Sequence, residues 1–274
     1  MKFTLQLNMF LRSFFLQTGW NYMKYQNIGL VFVMLPFLKQ LYKDDREALP
    51  SVLNRYLENF NTQPVMASFC FGALAQQETE VAHAKSLTDF KEKVTSWAGI
   101  KRGLSITTAS IGDRLFWGTL KPLTLLLALF ILLACGINFF EIDDLSAPSP
   151  WCVLIAGLAA FLSFNTIALF VKWRGLSLSF RSDESTCYGL TCFDWNKTIY
   201  YAKRTGLVLA SGMLLLGAYH YVKDFSSLID VHFFTRATIV LFFVVISFIT
   251  RKLRLPNMYL YLAAVVVFNI ECYL

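Results

Sequence analysis

The sequence contains little charge for its length. Of its 274 residues, 16% are charged and 56% are hydrophobic, whereas soluble domains carry about 25% charged and roughly 45–50% apolar residues. The hydrophobic residues are gathered in blocks instead of being spread evenly along the chain. Because a soluble surface needs more charge than this, the composition excludes an ordinary soluble enzyme.

Patterns of catalytic and metal-binding residues are also missing from the sequence. None of the three histidines stands beside a serine, cysteine or carboxylate pair at nucleophile spacing. There is no H-E-x-x-H pattern, no G-x-G-x-x-G pattern after a strand and no phosphate-binding loop. Among the six cysteines, Cys187 and Cys192 form a C-x4-C pair without a second pair or a neighbouring histidine, which makes a poor metal site. We therefore predict no catalytic residue, no metal and no cofactor.

Five apolar blocks occupy most of the second half of the chain. They cover residues 122–140, 151–171, 205–222, 233–250 and 255–274. Each block approaches the roughly 20 residues that a helix needs to cross about 30 Å of hydrocarbon. The sequence therefore predicts an all-α, polytopic membrane protein with about five transmembrane helices.

The charges that remain are distributed unevenly around these blocks. The net charge is +7; the segment 172–204 holds six lysines and arginines, while 141–150 holds three carboxylates and no cation. By the positive-inside rule, the first segment is cytoplasmic and the second external. We expect a multi-pass protein of the inner-membrane or plasma-membrane type with a cytoplasmic N-terminus. Topology and contact with lipid explain the basic charge, so we predict no nucleic-acid partner.

The N-terminal region, residues 1–60, has amphipathic rather than continuous apolar patterns. Apolar residues recur at helical spacing at positions 3, 7, 10, 11, 14 and 15. This stripe is typical of a helix that lies on a membrane surface or against a partner. Residues 28–38 are apolar, but the run is short and Pro36 interrupts it. We expect Pro50 to open a further helix, because proline fits the first helical turn.

Two short arms characterise the second predicted region, residues 61–120. The first arm, residues 65–75, is rich in small residues and too short to cross a bilayer, so it is either a re-entrant segment or a buried core helix. A polar helix is predicted to follow, and the second arm, 103–114, then leads into the first long apolar block. The remaining region, 121–274, is predicted to form the transmembrane bundle.

Polar residues at the tips of these arms are the candidate binding residues. Asn61, Thr62 and Gln63 offer donors and acceptors for sugar hydroxyls or for freed backbone groups, although the same turn could simply cap a helix. Glu78 could bind a polyol or lie on a solvated helix face. Asp113, followed by Arg114, either marks a transport pathway or forms a pair at the membrane interface.

Several motifs in the first half of the chain have a recognisable order. They are R-S-F-x-x-Q at 12–17, W-N-Y at 20–22, Q-N-x-G at 26–29, F-N-T-Q-P at 60–64 and I-G-D at 111–113. Over about residues 10–125, this order and spacing resemble the IID component of the mannose/fructose/sorbose family of bacterial sugar phosphotransferase systems. Arg114 stands where that family commonly has a small serine.

The resemblance implies a function in a larger complex. In such systems IIC and IID subunits together form the membrane channel, and soluble IIA and IIB subunits relay phosphate through their own histidines. The resemblance therefore implies a hetero-oligomeric permease subunit of the bacterial inner membrane that helps to import a hexose. Its expected substrate-binding residues are Asn61, Thr62, Gln63, Glu78 and Asp113. The alternative is a non-transporting membrane adaptor or receptor with the same fold, which Arg114 favours slightly.

Overall fold

The computed structural model describes residues 3–136 and 149–223, with side chains up to residue 218. The chain divides into two compact units, Met1–Met213 and Leu214–Leu274, and the contacts described below lie within the first. Its helices are α1 Phe3–Arg12, α2 Asn27–Leu41, α3 Leu49–Tyr56, α4 Ala67–Ala82, α5 Leu87–Gly112, α6 Lys121–Ala134, α7 Pro150–Ser179 and α8 Trp195–Lys223.

Short helical turns and two isolated bridges complete the described part of the chain. The 3-10 turns are Ser13–Phe15, Glu184–Thr186 and Leu190–Cys192, and a π-helical segment covers Asp113–Leu120. Isolated bridges join Tyr25 to Asn21 and to Phe60, and no β-sheet forms among these residues. The prediction of an all-α protein is confirmed.

The helix boundaries follow from local chemistry. Ser86 caps α5, because its hydroxyl accepts a hydrogen bond from the backbone N–H of Asp89 at 3.2 Å. Pro50 and Pro150 lie in the first turns of α3 and α7, where a missing N–H has no cost. Pro36 does not interrupt α2 as the sequence suggested, since the helix continues through it to Leu41.

Helix α4 lies at the centre of the packed core. Eleven of its sixteen residues are buried, and it packs against α2, α5 and α7. Small residues allow this close approach: a Cβ at Gly72 would stand 2.7 Å from the backbone of Ser179 in α7. Of the two alternatives for the first predicted arm, the structure therefore shows the buried core helix.

The second predicted arm is not a separate element. Residues 103–114 lie within α5 and the start of the π-helical segment, in a helical run that continues from Leu87 to Ala134 over 48 residues. The polar residues do not break the helix because their hydroxyls bond to it. Thr107 and Thr108 donate to the carbonyls of Gly103 and Leu104, at 2.9 and 2.6 Å.

Two helices of the described part are long and apolar enough to cross a membrane. They are Leu87–Ala134 and Pro150–Ser179, with mean hydropathies of 1.9 and 2.1 in their most apolar windows. They contain the second predicted span and most of the first. The third predicted span falls in α8, whereas the fourth and fifth lie outside the described residues, so the number five stays a prediction.

The amphipathic N-terminal helix is present as α1. Phe10 packs edge-on against Trp173 of α7 with ring centroids 5.1 Å apart, while Phe3, Leu11 and Phe14 remain exposed. Lys172 of α7 donates to the carbonyl of Ser13 at 3.0 Å. Helix α1 is therefore tied to α7 and still presents an apolar face to its surroundings.

Candidate functional site

The turn that carries Asn61, Thr62 and Gln63 joins α3 to α4, and a buried glutamine holds it in place. The side-chain amide of Gln26 donates to the carbonyl of Thr62 at 2.8 Å, and its oxygen accepts from the N–H of Thr62 at 3.0 Å. Both residues are buried. The amide thus satisfies both backbone groups of one residue, as a neighbouring strand would, and fixes the path of the turn.

Gln63 stabilises the start of α4. Its side-chain oxygen accepts from the N–H groups of Val65 and Met66, at 2.8 and 2.9 Å. These donors precede the helix and have no partner within it. The structure therefore shows Gln63 bonded to the turn directly before α4, with its side chain buried.

A buried hydrogen-bond chain connects this turn to α5. The hydroxyls of Thr62 and Thr108 are 2.7 Å apart, and that of Thr108 lies 3.4 Å from the thiol of Cys70 in α4. Gly112, one turn further along α5, is in contact with the turn, because a Cβ there would stand 2.5 Å from that of Gln63. The turn and two helices thus meet without space for larger side chains.

Asp113 follows Gly112 directly and opens the π-helical segment. The side chains of Asp113 and Arg114 are exposed, whereas the backbone before them is packed on the turn. The side-chain hydroxyl of Thr119 donates to the carbonyl of Arg114, five residues earlier in this segment, at 2.8 Å. Such π-helical segments are frequent at functional sites because they displace side chains from the regular helical positions.

A cleft with both polar and apolar lining residues lies beside the turn, between it and α5. Its volume is about 670 Å³, and its polar lining includes Lys24, Asn59, Asn61, Arg102 and Ser105. Lys101 closes one side, where its ammonium donates to the carbonyls of Arg55 and Glu58 at 3.1 and 3.3 Å. Amides, a hydroxyl and cations suit a ligand rich in oxygen atoms.

Glu78 lies in a second polar cluster near the other end of α4. Its carboxylate is fully buried, accepts a hydrogen bond from the Tyr42 hydroxyl at 2.7 Å, and forms an ion pair with Arg55. Tyr56 and Trp97 pack beside it with ring centroids 4.9 Å apart. The carboxylate of Glu78 thus links α4 to α3 and to the residue that follows α2, and Trp97 of α5 joins the cluster through Tyr56.

Several buried polar atoms of this cluster have no hydrogen-bond partner among the described residues. They are Arg55 Nε, Tyr56 OH, Glu78 Oε2 and Trp97 Nε1. Burial raises the pKa of Glu78, and the positive charge of Arg55 opposes that shift without cancelling it. Burial likewise raises the pKa of Tyr42 and of Tyr56, with the neighbouring carboxylate adding to the effect.

The structure brings four of the five predicted residues into one neighbourhood. Asn61, Thr62, Gln63 and Asp113 lie at the start of α4, whereas Glu78 is about 16 Å further along the helix axis, at 1.5 Å per residue. The sequence did not single out Thr108 or Arg55 as partners. Gln26 belongs to the Q-N-x-G motif that the sequence analysis identified. The motif did not indicate that its side chain holds the turn at Thr62.

The first half of the chain matches the sequence profile of the PTS system mannose/fructose/sorbose family IID component, over residues 4–141. The chain belongs to this family. The matched range includes the turn, the cleft and the cluster around Glu78. The family assignment predicted from the motifs is confirmed, and with it an all-α membrane protein.

Relatives of known name show the same relationship. The chain is 31% identical to the mannose-specific EIID component of Escherichia coli over 171 residues, which are 62% of this chain and 53% of that protein. It is 36% identical to the fructose permease IID component of Bacillus subtilis over 174 residues, 63% and 54% of the two chains. The chain thus spans about half the length of the curated relatives it matches.

A solved structure shares the fold. A chain of the mannose transporter ManYZ, determined in complex with a microcin, is similar with a TM-score of 0.53 and 27% identity over 78% of this chain and 70% of that one. A second structure, described as a membrane protein, has a TM-score of 0.59, again with 27% identity.

Proposed function

We propose that the chain is the IID membrane subunit of a sugar permease of the phosphotransferase type. With a IIC partner it forms the channel that imports a hexose, which IIB phosphorylates on arrival with phosphate relayed by IIA. The family match over residues 4–141 is the observation that carries the proposal. The proposed substrate class is a sugar, in line with the names of the relatives. In this proposal the chain itself does not transfer phosphate.

The polar groups in the cleft beside the turn support a role in binding a sugar. Asn61 lines the cleft, and the exposed Asp113 directly follows Gly112, whose backbone packs against the side chain of Gln63. Amide and carboxylate groups are suited to hydrogen bonds with sugar hydroxyls. In this proposal Asn61 and Asp113 contact the substrate, whereas Thr62 and Gln63 position the turn. Glu78 maintains the packing of α4 from the far end.

The charges at the helix ends support a cytoplasmic N-terminus in a bacterial inner membrane. Lys101 and Arg102 of α5 precede the apolar part of the first candidate span, and Lys172 and Arg174 follow that of the second. The acidic segment 141–150 lies between the two spans in sequence. By the positive-inside rule the basic ends are cytoplasmic and the acidic segment is external.

The exposed apolar face formed by α1 and the 3-10 turn after it supports a subunit contact. Phe3, Leu11 and Phe14 are 65, 55 and 49% exposed, although Phe10 and Met9 of the same segment pack inward. An apolar face of this kind is typical of a helix that meets a second protein or the membrane surface. We assign it to the IIC partner.

Uptake and phosphorylation of labelled hexoses test the proposal. In cells that make the chain with its IIA, IIB and IIC partners, sugar phosphate should accumulate, and the accumulation should vanish when this chain is omitted. Asn61→Ala and Asp113→Ala should each abolish uptake while the protein still inserts into the membrane. Asn54→Ala and Asp44→Ala, at exposed positions outside the cleft, are the matched controls and should transport normally.

Two outcomes would contradict the proposal. Intact uptake in both Asn61→Ala and Asp113→Ala would remove the turn from the transport pathway. No uptake at all, in spite of a stable complex that copurifies with the IIC partner, would favour the adaptor or receptor that the sequence left as the alternative.

A further inference from the structure

The cleft beside the turn carries an excess of positive charge. Lys24, Lys101 and Arg102 line it, and Glu58 is the one carboxylate among the lining residues, so three positive charges and one negative charge leave +2. In the described part of the chain, no carboxylate oxygen lies within 4 Å of a charged nitrogen of these three cations. The cations of the cleft are therefore open to an anion from outside the chain.

Lys101 is a buried charge that only neutral groups hold. The residue is 4% exposed, and its ammonium donates to the carbonyls of Arg55 and Glu58, at 3.1 and 3.3 Å. An ammonium has three donors, so one is left for a ligand in the cleft. Because a buried charge without an ion-pair partner is destabilising, an anion in the cleft would stabilise Lys101.

Lys24 and Arg102 belong to two different walls of the same cleft. Lys24 lies beside the turn, since its carbonyl accepts a hydrogen bond from the N–H of Phe60 at 3.4 Å. Arg102 follows Lys101 on α5, and Ser105 lies one turn further along that face. Both side chains are exposed. Within the described residues, Lys24 and Arg102 form hydrogen bonds with their backbone atoms only.

We infer that this cleft binds a phosphorylated sugar, with Lys24, Lys101 and Arg102 on the phosphate and the Asn61 amide on the sugar hydroxyls. The inference rests on the proposed function, in which Asn61 contacts the sugar and the sugar is phosphorylated on arrival in the cytoplasm. Arginine binds phosphate through two parallel N–H bonds, and lysine binds it as a point charge. A cleft with an excess of one sign of charge also concentrates ligands of the opposite sign. The chain thus holds the product of the transport reaction beside the group that meets its substrate.

A phospholipid headgroup offers the same phosphate chemistry, but it lies too far from the cleft. The first apolar block begins at residue 122, twenty residues after Arg102, which is about 30 Å along a helix at 1.5 Å per residue. Headgroups extend only about 5–8 Å beyond the hydrocarbon on each side. In the proposed orientation the cleft lies on the cytoplasmic side of that layer, where the phosphorylated sugar is formed.

Ligand binding to the purified complex tests the inference. The full chain with its IIC partner is titrated in neutral detergent with each hexose of the uptake assay and with the 6-phosphate of that hexose. The 6-phosphate should bind more tightly than the free hexose, and inorganic phosphate should compete with it. Arg102→Gln and Lys24→Gln should each lower the ratio of the two affinities about tenfold, because each removes a charge-assisted hydrogen bond. Glu58→Gln should raise the ratio, since it removes a charge that repels phosphate.

Two further variants separate the phosphate contact from other effects. Asn61→Ala should weaken the binding of the hexose and of its 6-phosphate alike, and so leave their ratio unchanged. Lys91→Gln, at an exposed cation of α5 outside the cleft, should bind both ligands as the wild type does. Equal affinity of the wild type for the hexose and its 6-phosphate would overturn the inference. The same loss of ratio in Lys91→Gln would also overturn it.

The source of the phosphate is tested in nanodiscs. The complex is assembled in phosphatidylcholine alone or with added phosphatidylglycerol. Hexose 6-phosphate should bind equally well in both. If phosphatidylglycerol displaces it from the wild type, the cleft is a lipid site and the inference is wrong.

Uptake measurements separate this inference from the proposed function. If uptake depends on the chain but the complex does not prefer the 6-phosphate, the inference fails and the proposed function stands. If the 6-phosphate is preferred and the preference depends on Arg102 and Lys24, but no uptake occurs, the proposed function fails. The cleft is then the sugar-phosphate site of an adaptor or receptor.

Discussion

Helices α4 and α7 are both apolar, but they have opposite surroundings. Eleven of the sixteen residues of α4 are buried, compared with seven of the thirty in α7. The buried residues of α7 also lie mainly in its last part, from Ala168 to Ser179, where it crosses α4. Between Pro150 and Ile167 only Ala156 is buried.

The difference shows which neighbour each helix requires. Protein surrounds α4, so its residues are small where helices meet, and its one carboxylate at the core, Glu78, is paired with Arg55. The first part of α7 exposes large side chains such as Phe161 and Leu162 at 62 and 56%. An apolar helix with this exposure requires lipid or another subunit around it. Substitutions in the two environments should therefore have unequal effects.

The largest effect is expected at the buried carboxylate. Glu78→Ala should lower the free energy of unfolding by about 3–5 kcal/mol, because it leaves Arg55 partly buried without its ion-pair partner. Glu80→Ala, two residues further on and exposed, should change it by less than about 0.5 kcal/mol. Thermal unfolding of the purified complex in detergent measures both. Equal unfolding temperatures would mean that the ion pair does not stabilise the core.

A glycine in each helix offers the most direct contrast between them. Gly72→Ala should cost about 1–3 kcal/mol through overpacking, because its Cβ would collide with Ser179. Gly157→Ala in α7 has no atom within 4 Å of its Cβ. It should be neutral or stabilising by up to about 1 kcal/mol, since alanine favours helix. The unfolding temperatures of the two variants test this contrast. A lower unfolding temperature for Gly157→Ala would show that this face of α7 is packed against protein.

A smaller effect is expected where the turn meets α5. Thr108→Val should lower stability by about 1 kcal/mol, because it removes the hydroxyl bonded to buried Thr62 while keeping the shape of the side chain. Thr107→Val, on the exposed side of the same helix, is the control and should have little effect. If both variants unfold together with the wild type, the hydroxyl bond does not hold the turn.

The smallest effect concerns pH. Because burial raises the pKa of Glu78 above its ordinary value of 4.5, the folded protein keeps this proton to higher pH than the unfolded chain does. The resulting stabilisation is complete below about pH 4.5 and is lost as pH rises through the folded pKa. The wild type should therefore lose stability relative to Glu78→Gln, which cannot titrate, as pH rises from 4.5. If the wild type keeps or gains stability relative to Glu78→Gln as pH rises, the pKa of Glu78 is not raised.

Sequence patterns anticipated much of the fold because they depend on local periodicity. Helix α1, the start of α3 at Pro50 and the apolar blocks in α6 and α7 were all recognisable in this way. The π-helical segment and the continuity of α5 could not be recognised from local periodicity. They depend on whether the side chains of Thr107 and Thr108 bond to their own helix or interrupt it. Either outcome is compatible with the same residues.

The candidate site was predictable in part for the same reason. The turn at Asn61 to Gln63 has a distinctive composition, whereas its partner Thr108 is 46 residues away from Thr62 along the chain. Glu78 follows the turn closely in sequence, but a helix separates the two in space. Contacts of this kind arise from how helices pack, and no single stretch of sequence contains them.

The sequence by itself determined that this chain is helical, membrane-embedded and related to the IID family, since composition, hydrophobic block length and motif order are properties of the linear chain. Only the tertiary structure decided which apolar helix is enclosed by protein and which faces outward, because hydrophobicity alone does not distinguish a core from a bilayer. It also brought Arg55 into contact with Glu78 and Gln26 into contact with Thr62. Those pairings depend on the register between helices, which is set by the side chains packed between them.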